Sequence, residues 1–357
     1  MTETRFHNRR AVAIENDALR VTVTVEGGHI AEILDKSTGV NPLWIPPWTS
    51  IEPSTYDPIR HPDYGGDAES RLLAGIMGHN TCIDIFGDPS PEEAAAGMTV
   101  HGEASVLPYT IDAAPLRLVN RLHLPVAGLN FERRIQLDAA DSVLRIHETL
   151  ENCAALDHPT AWTQHVTLGP PFLERGVTEF RASCTHSKVH DIDFSEGRGY
   201  MKIGAAFEWP NCPRKDGGTA DLRLFTDAPV SAGFTIHLMN PARDQAYFMA
   251  WSPRTKVLFG YLWNPKDFPF LGIWEENDCR ALAPWNAHSL TRGMEFGVSP
   301  IPESRRAMID RGPTFGTPGY RWIPAQSKVE VDYIAFITTA AAIPEGVNWD
   351  GHKLQFS

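Results

Sequence analysis

The sequence predicts an all-β protein, a large antiparallel β-sandwich with few short helices. Three observations carry that expectation. Apolar residues recur with period two in short, β-branched runs. Helical patterns are few, and none is long enough to cover a parallel sheet. The 28 glycines and 28 prolines among 357 residues suit many turns between many strands.

Taken along the chain, Leu19, Val21, Val23 and Val25 alternate with Arg20, Thr22 and Thr24. Leu116, Leu118 and Leu122 belong to a second such run, and Val329, Val331 and Tyr333 to a late one. Two short helices are expected. Pro91–Gly97 has Ser90 as an N-cap, acids in its first turn and Gly97 as a stop, and Glu303–Asp310 is the other. The stretch 46–67 is rich in Pro, Asp, Tyr and Trp and lacks periodicity. It reads as a long functional loop rather than a domain boundary, because alternation resumes on both sides. There is no fixed-period repeat or low-complexity linker, so a single domain over residues 1–357 is the simplest organisation.

Apolar residues make up 42% of the chain, enough for a sizeable core. The balance of 32 basic against 44 acidic residues gives a net charge of −12. Such a chain repels nucleic acid and anionic lipid, so neither is an expected partner. A neutral small molecule is compatible with it. The five cysteines show no zinc-type spacing and read as reduced thiols of a cytoplasmic protein. The N-terminus has no apolar signal region, and no run of about 18 apolar residues suggests a membrane span. Oligomeric state is not legible. Neither a Gly-x-Ser-x-Gly elbow nor a dinucleotide fingerprint is present.

Four segments could carry chemistry. They are Gly78–Asp84 preceded by Arg71, Thr99–Glu103, Ala161–Leu168 and Phe268–Asn277. Read as a strand, Ala161–Leu168 puts Trp162, Gln164, Val166 and Leu168 on one face and Thr163, His165 and Thr167 on the other. The second face then lines a cleft with a histidine between hydroxyls. In Phe268–Asn277, Leu271 and Ile273 point to the core with Glu275, and Glu276 projects beside Trp274. An aromatic face beside a carboxylate suits a sugar, whose C–H face stacks while its hydroxyls bond the acid. Read the same way, Thr99, His101 and Glu103 share a face. Each signal has a bland alternative: a solvated histidine, surface acids, or a turn at Gly78-His79-Asn80.

The opening pattern, Leu19-x-Val21-x-Val23, then Gly27-Gly28-x-Ile30-x-x-Ile33 and Asn41-Pro42-Leu43-Trp44, resembles that of the galactose mutarotase (aldose 1-epimerase) superfamily. Arg71, His101-Gly102, His165 and Glu276 follow in the order that superfamily uses for its arginine, two histidines and late glutamate. The resemblance spans nearly the whole chain with loose motifs. Around His165, typical members read Asn-His-x-Tyr-Phe-Asn where this chain has Thr163-Gln164-His165-Val166-Thr167-Leu168, so the likeness is to divergent, uncharacterised branches. Two alignments of the glutamate are open. One uses Trp274-Glu275-Glu276. The other puts Ala283-Pro284-Trp285 in place of a Glu-Pro-Trp motif and leaves no carboxylate there.

The resemblance implies the galactose mutarotase-like supersandwich and an enzyme that interconverts sugar anomers by general acid–base catalysis. Glu276 would be the base, His165 the acid, and His101 a hydrogen-bond partner of the ring oxygen or a nearby hydroxyl. Arg71, His79 and Glu103 would hold hydroxyls, and Trp274 would stack. No metal or organic cofactor is required. Two alternatives stand beside this one. One is a non-catalytic carbohydrate-binding protein. The other is a metal-dependent sugar isomerase or lyase with His79, His101, Glu103 and His165 as ligands. A phosphorylated sugar would want a basic cluster, for which Arg292, Arg305, Arg306 and Arg311 are candidates.

Overall fold

Period-two alternation in the sequence becomes two stacked antiparallel sheets in a computed structural model that describes residues 3–139 and 142–357. Eleven strands of the first sheet run, in spatial order, Glu3–Phe6, Arg9–Glu15, Leu19–Thr24, Ile30–Asp35, His79–Asp84, His158–Leu168, Leu290–Gly297, Phe270–Asn277, Ser231–Met239, Cys184–Val189 and Ala206–Glu208. Arg321–Ile323 pairs with the start of His158–Leu168. The second sheet has eight strands: Glu179–Ala182, Ala246–Trp251, Val257–Trp263, Lys328–Thr339, Val143–Asn152, Leu129–Leu137, Arg117–Leu124 and Thr110–Ala114.

Helix is confined to short pieces. Pro91–Ala95 starts at a full capping box, in which Ser90 Oγ accepts from Glu93 N and the Glu93 carboxylate accepts from Ser90 N. Arg305–Arg311 is capped by Ser304. Ser70–Leu73, a single turn, was not legible as a helix in the sequence. Residues 46–67 form an irregular loop with two short 3₁₀ turns, Pro53–Thr55 and Pro62–Tyr64. Among the described residues no helix is long and apolar enough to cross a membrane. None of the five cysteines is in a disulfide.

The core lies between the sheets. Trp162, Val166, Leu168, Leu271, Ile273, Met294 and Phe296 face inward from the first sheet, against Phe131, Ile135, Ile146, Phe259 and Ala335 of the second. Each large apolar side chain taken fully out of water there contributes about 1.5–3 kcal/mol. The outer face of the second sheet is partly covered by the C-terminal hairpin Val347–Trp349 and Leu354–Phe356, under which Val347 and Ile343 pack on Tyr247, Leu258 and Phe336.

A polar network crosses this interior. Glu148 accepts hydrogen bonds from Arg133 Nε (2.7 Å), Trp162 Nε1 (2.9 Å), Gln164 Nε2 (2.6 Å) and Tyr333 OH (2.8 Å). Arg133 also reaches Thr81 Oγ1 and Gly28 O. Both ions are buried, so removing one leaves its partner unpaired in a low-dielectric interior. Glu148→Gln is expected to lower the unfolding free energy by about 3–5 kcal/mol, measured by urea denaturation. A loss under about 1 kcal/mol would mean the pair is replaceable.

Candidate functional site

The outward face of the central first-sheet strands forms the floor of a cavity of ≈160 Å³. His165 and Thr167 come from His158–Leu168, Glu295 from Leu290–Gly297, Trp274 from Phe270–Asn277 and Phe234 from Ser231–Met239. Loops build the walls. Trp44, Leu73, Ile76 and Val100 pack with Trp285 on one side, and Phe86 packs with Phe234 on the other. Trp44 and Trp285 stack at 5.9 Å, Trp274 meets Trp285 edge-on at 6.0 Å, and His165 lies 6.0 Å from Trp274.

His101 and His165 meet here, with ring centroids 4.9 Å apart. They arrive by different routes. His165 alternates out of a regular strand. His101 sits in a turn with left-handed backbone (φ 63°), not on a strand face, and Glu103 begins a 3₁₀ turn. Gly102 follows because nothing else fits: at φ 80°, a Cβ there would stand 2.0 Å from the Ile83 carbonyl oxygen. The turn is held by His101 N donating to Gly87 O (3.1 Å), and by Ser105 Oγ, 3.3 Å from the His101 carbonyl.

The carboxyl group nearest the histidines is Glu295. In the ladder it is the direct partner of His165, and its Oε1 lies 3.1 Å from His165 Nε2. That approach is off the line of a good hydrogen bond, and Oε1 has no aligned donor. Glu295 is 2% exposed. Burial pushes its carboxyl well above the ordinary carboxylate range. Burial also lowers His165 to about 4, and it lowers His101 strongly, with His165 as a further cause. Burial therefore disfavours the charged forms of the acid and of both imidazoles.

Several sequence expectations need correction. Glu276 lies on the cleft side of its strand next to Trp274, yet it is 1% exposed and does not line the cavity. Its Oε1 accepts from Cys279 N and Arg280 N, both at 2.8 Å, so it caps the turn after the strand. Glu275 points the other way, bonded by Tyr200 OH at 3.1 Å. His79 is inside the sandwich, between Tyr261 OH (3.0 Å) and Gln164 Oε1 (2.9 Å). The reason is parity: on the same strand Cys82 faces the cleft-side cluster, so odd-numbered His79 faces the core. Glu103 accepts from the backbone of Val126 and Ala127 and braces that loop. Arg71 lies on the short helix but does not line the cavity, whereas Glu69 and Leu73 do.

With His79 and Glu103 elsewhere, the four expected metal ligands do not converge. Among the described residues no group of three or more His, Cys, Asp or Glu is placed to hold a metal. The basic cluster also dissolves. Arg292 is buried over the Phe180 ring, Arg305 pairs with Asp84, Arg306 with Asp310 (2.6 Å) and Arg311 with Glu303 (2.7 Å).

The guanidinium that lines the cavity is Arg280. It bridges to Glu69 (3.0 Å), lies 3.5 Å from Glu276 and rests over the Trp285 ring at 4.9 Å. Glu295, Arg280, Glu69 and Phe234 were not singled out from sequence, and Trp44 and Trp285 entered only as parts of the family pattern, with no role in the site. Glu295 did leave a signal: Gly293, Glu295 and Gly297 alternate with Met294 and Phe296 in one strand pattern.

A larger groove of ≈720 Å³ crosses the outer face of the second sheet. Three of its charged groups are paired, Arg134 with Glu132, Arg145 with Asp138 and His147 with Asp332, at 2.6–2.9 Å. It holds none of the unpaired polar atoms that mark the smaller cavity.

No family model matches the chain, and no curated protein is similar to it by sequence. Solved structures are similar in three dimensions. A Klebsiella pneumoniae subsp. pneumoniae protein proposed to be an aldose 1-epimerase superposes with a TM-score of 0.67 at 15% identity, over 94% of this chain and 80% of its own. A galactose mutarotase-like protein of Clostridium acetobutylicum gives 0.59 at 12%, over 95% and 98%. A galactose mutarotase related enzyme of Lactobacillus acidophilus gives 0.59 at 11%, over 92% and 97%. These likenesses identify the architecture.

Proposed function

We propose that this chain, which has the galactose mutarotase-like fold, interconverts the anomers of an aldose in the cavity above His165 and Glu295. The observation that carries this reading is a set of buried polar atoms with no partner: Glu295 Oε1, His101 Nδ1 and Trp285 Nε1, all on residues that line the cavity. Such atoms are costly unless a ligand or water meets them, and a polyhydroxylated ring offers donors and acceptors on every side. Trp274 and Trp285 supply aromatic surface for its C–H face.

Mutarotation needs one proton taken from O1 and one given to the ring oxygen. The ring then opens, C1 rotates and the ring closes. Neutral imidazole and protonated carboxyl are the forms that can begin it. Thr167 Oγ1 lies 3.1 Å from His165 Nδ1. An N–H donated there leaves Nε2 bare to take a proton. Glu295 gives its proton to the ring oxygen while His165 or His101 receives that of O1, and closure returns both. The carboxyl role thus falls to Glu295 rather than Glu276. Arg280 and Glu69 hold hydroxyls at the mouth.

Relaxation of freshly dissolved α-aldoses, followed by polarimetry or NMR, tests the reading. Some aldose in a broad panel is expected to equilibrate faster than in the buffer blank. A panel that binds without faster equilibration would leave a carbohydrate-binding protein on the same scaffold.

A further inference from the structure

Three of the four strand neighbours of Glu295 are glycines. Across the ladder it faces Gly272 on one strand and His165 on the other, and along its own strand Gly293 and Gly297 flank it. None of these glycines has a left-handed φ, so each supplies room rather than conformational freedom. The room has three different uses. A Cβ on Gly272 would strike the Phe234 ring at 2.4 Å, and one on Gly297 would strike Thr163 at 2.5 Å. A Cβ on Gly293 would stand 2.4 Å from Glu295 Oε1 itself, and 3.2 Å from Trp274 Cβ. The carboxyl therefore leans along its strand over Gly293, as strand side chains do. With no aligned hydrogen bond at Oε1, packing must hold that atom.

We propose that Gly293 is a positioning residue: the slot left by its missing side chain holds the Glu295 carboxyl against Nε2 of His165. The inference deepens the mutarotase reading and rests on it. Any side chain at position 293 must turn the carboxyl out of the slot, away from the imidazole and from the ring oxygen of the substrate. Displacements of about 1 Å at reacting groups can cost about 10²-fold in rate.

The test is a double-mutant cycle of Gly293→Ala and Glu295→Asp. Gly293→Ala alone is expected to lower kcat about 10²-fold with KM little changed. In the Glu295→Asp background, where the shorter acid no longer reaches the slot, the same change should cost almost nothing. An unaltered kcat in Gly293→Ala overturns the inference. So does an equal loss in both backgrounds, which would point to displacement of Trp274 instead. A second readout needs no turnover. The infrared band of the protonated carboxyl, assigned by its loss in Glu295→Gln, is expected to shift in Gly293→Ala. An unmoved band sinks the positioning role, whereas a silent polarimeter with wild-type protein sinks the mutarotase reading alone.

Discussion

Glu295→Gln is expected to lower kcat/KM for mutarotation by about 10²–10⁴-fold, the range for loss of one positioned acid or base. The amide keeps the shape of the side chain and cannot transfer the proton. The partner variant, Glu276→Gln, separates the two carboxyls. Glu276 is engaged with the Cys279 and Arg280 backbone, so its loss should loosen the turn that carries Arg280 and Trp285. A change of a few-fold, mainly in KM, is expected there. The pH profile is a further signature. Because burial holds His165 near 4, activity should not fall as pH drops from 8 to 6, where an ordinary histidine ionises. The assignment is lost if Glu276→Gln is the dead variant and Glu295→Gln remains active.

Acid should unfold this protein early. Among the described residues five histidines, His29, His79, His165, His190 and His237, are buried. Burial lowers each of them, to about 3 for His29 and His237 and about 4 for His165 and His190, and it lowers His101 as well. Nearby guanidinium groups add to the effect: Arg9 at His29, Arg133 at His79 and Arg292 at His237. Unfolded, each histidine takes a proton near 6.5. A folded pKa below that value means stability is full above about 6.5 and is lost as pH falls toward the folded values. Four buried carboxyls, Glu103, Glu275, Glu276 and Glu295, act in the opposite sense because burial raises them, as it does the half-buried Glu69. Each holds its proton to higher pH in the folded state than in the unfolded chain, so it releases protons on unfolding in that interval. The lowered histidines outnumber the raised carboxyls, so net proton uptake on unfolding and a stability that falls as pH drops from 6.5 toward 5 are expected. Urea denaturation from pH 7.5 to 5 measures the slope, and proton uptake on unfolding at pH 5.5 measures its cause. A stability flat across that range would show that these histidines are already hydrated.

Much of the architecture was legible in the chain. Period-two runs such as 19–25 and 329–333 became strands because alternation places one set of side chains between two sheets whatever their partners. The Ser90 start and the 46–67 loop followed from local chemistry in the same way. Within a strand the faces were legible too. Trp162, Val166 and Leu168 went to the core and His165 to the cleft, and Trp274 faced the cavity while Leu271 and Ile273 went inward.

Between strands, local rules stop. Alternation says which side chains share a face of one strand, and nothing in it says which strand lies next to which. Glu295 meets His165 because Leu290–Gly297 pairs on one side with its sequence neighbour Phe270–Asn277 and on the other with the distant strand His158–Leu168, in a register that sets residue 295 opposite residue 165. Glu103 went to a loop backbone for a like reason, since its partners Val126 and Ala127 come from a separate segment, whereas the inward turn of His79 follows from the parity of its own strand. The sequence by itself therefore determined the strand class, the turns and the inward or outward sense of most side chains, all set by interactions within a few residues. Only the tertiary structure decided which acid reaches the imidazoles and which arginine lines the cavity, because strand order and register depend on long-range packing that period two leaves open.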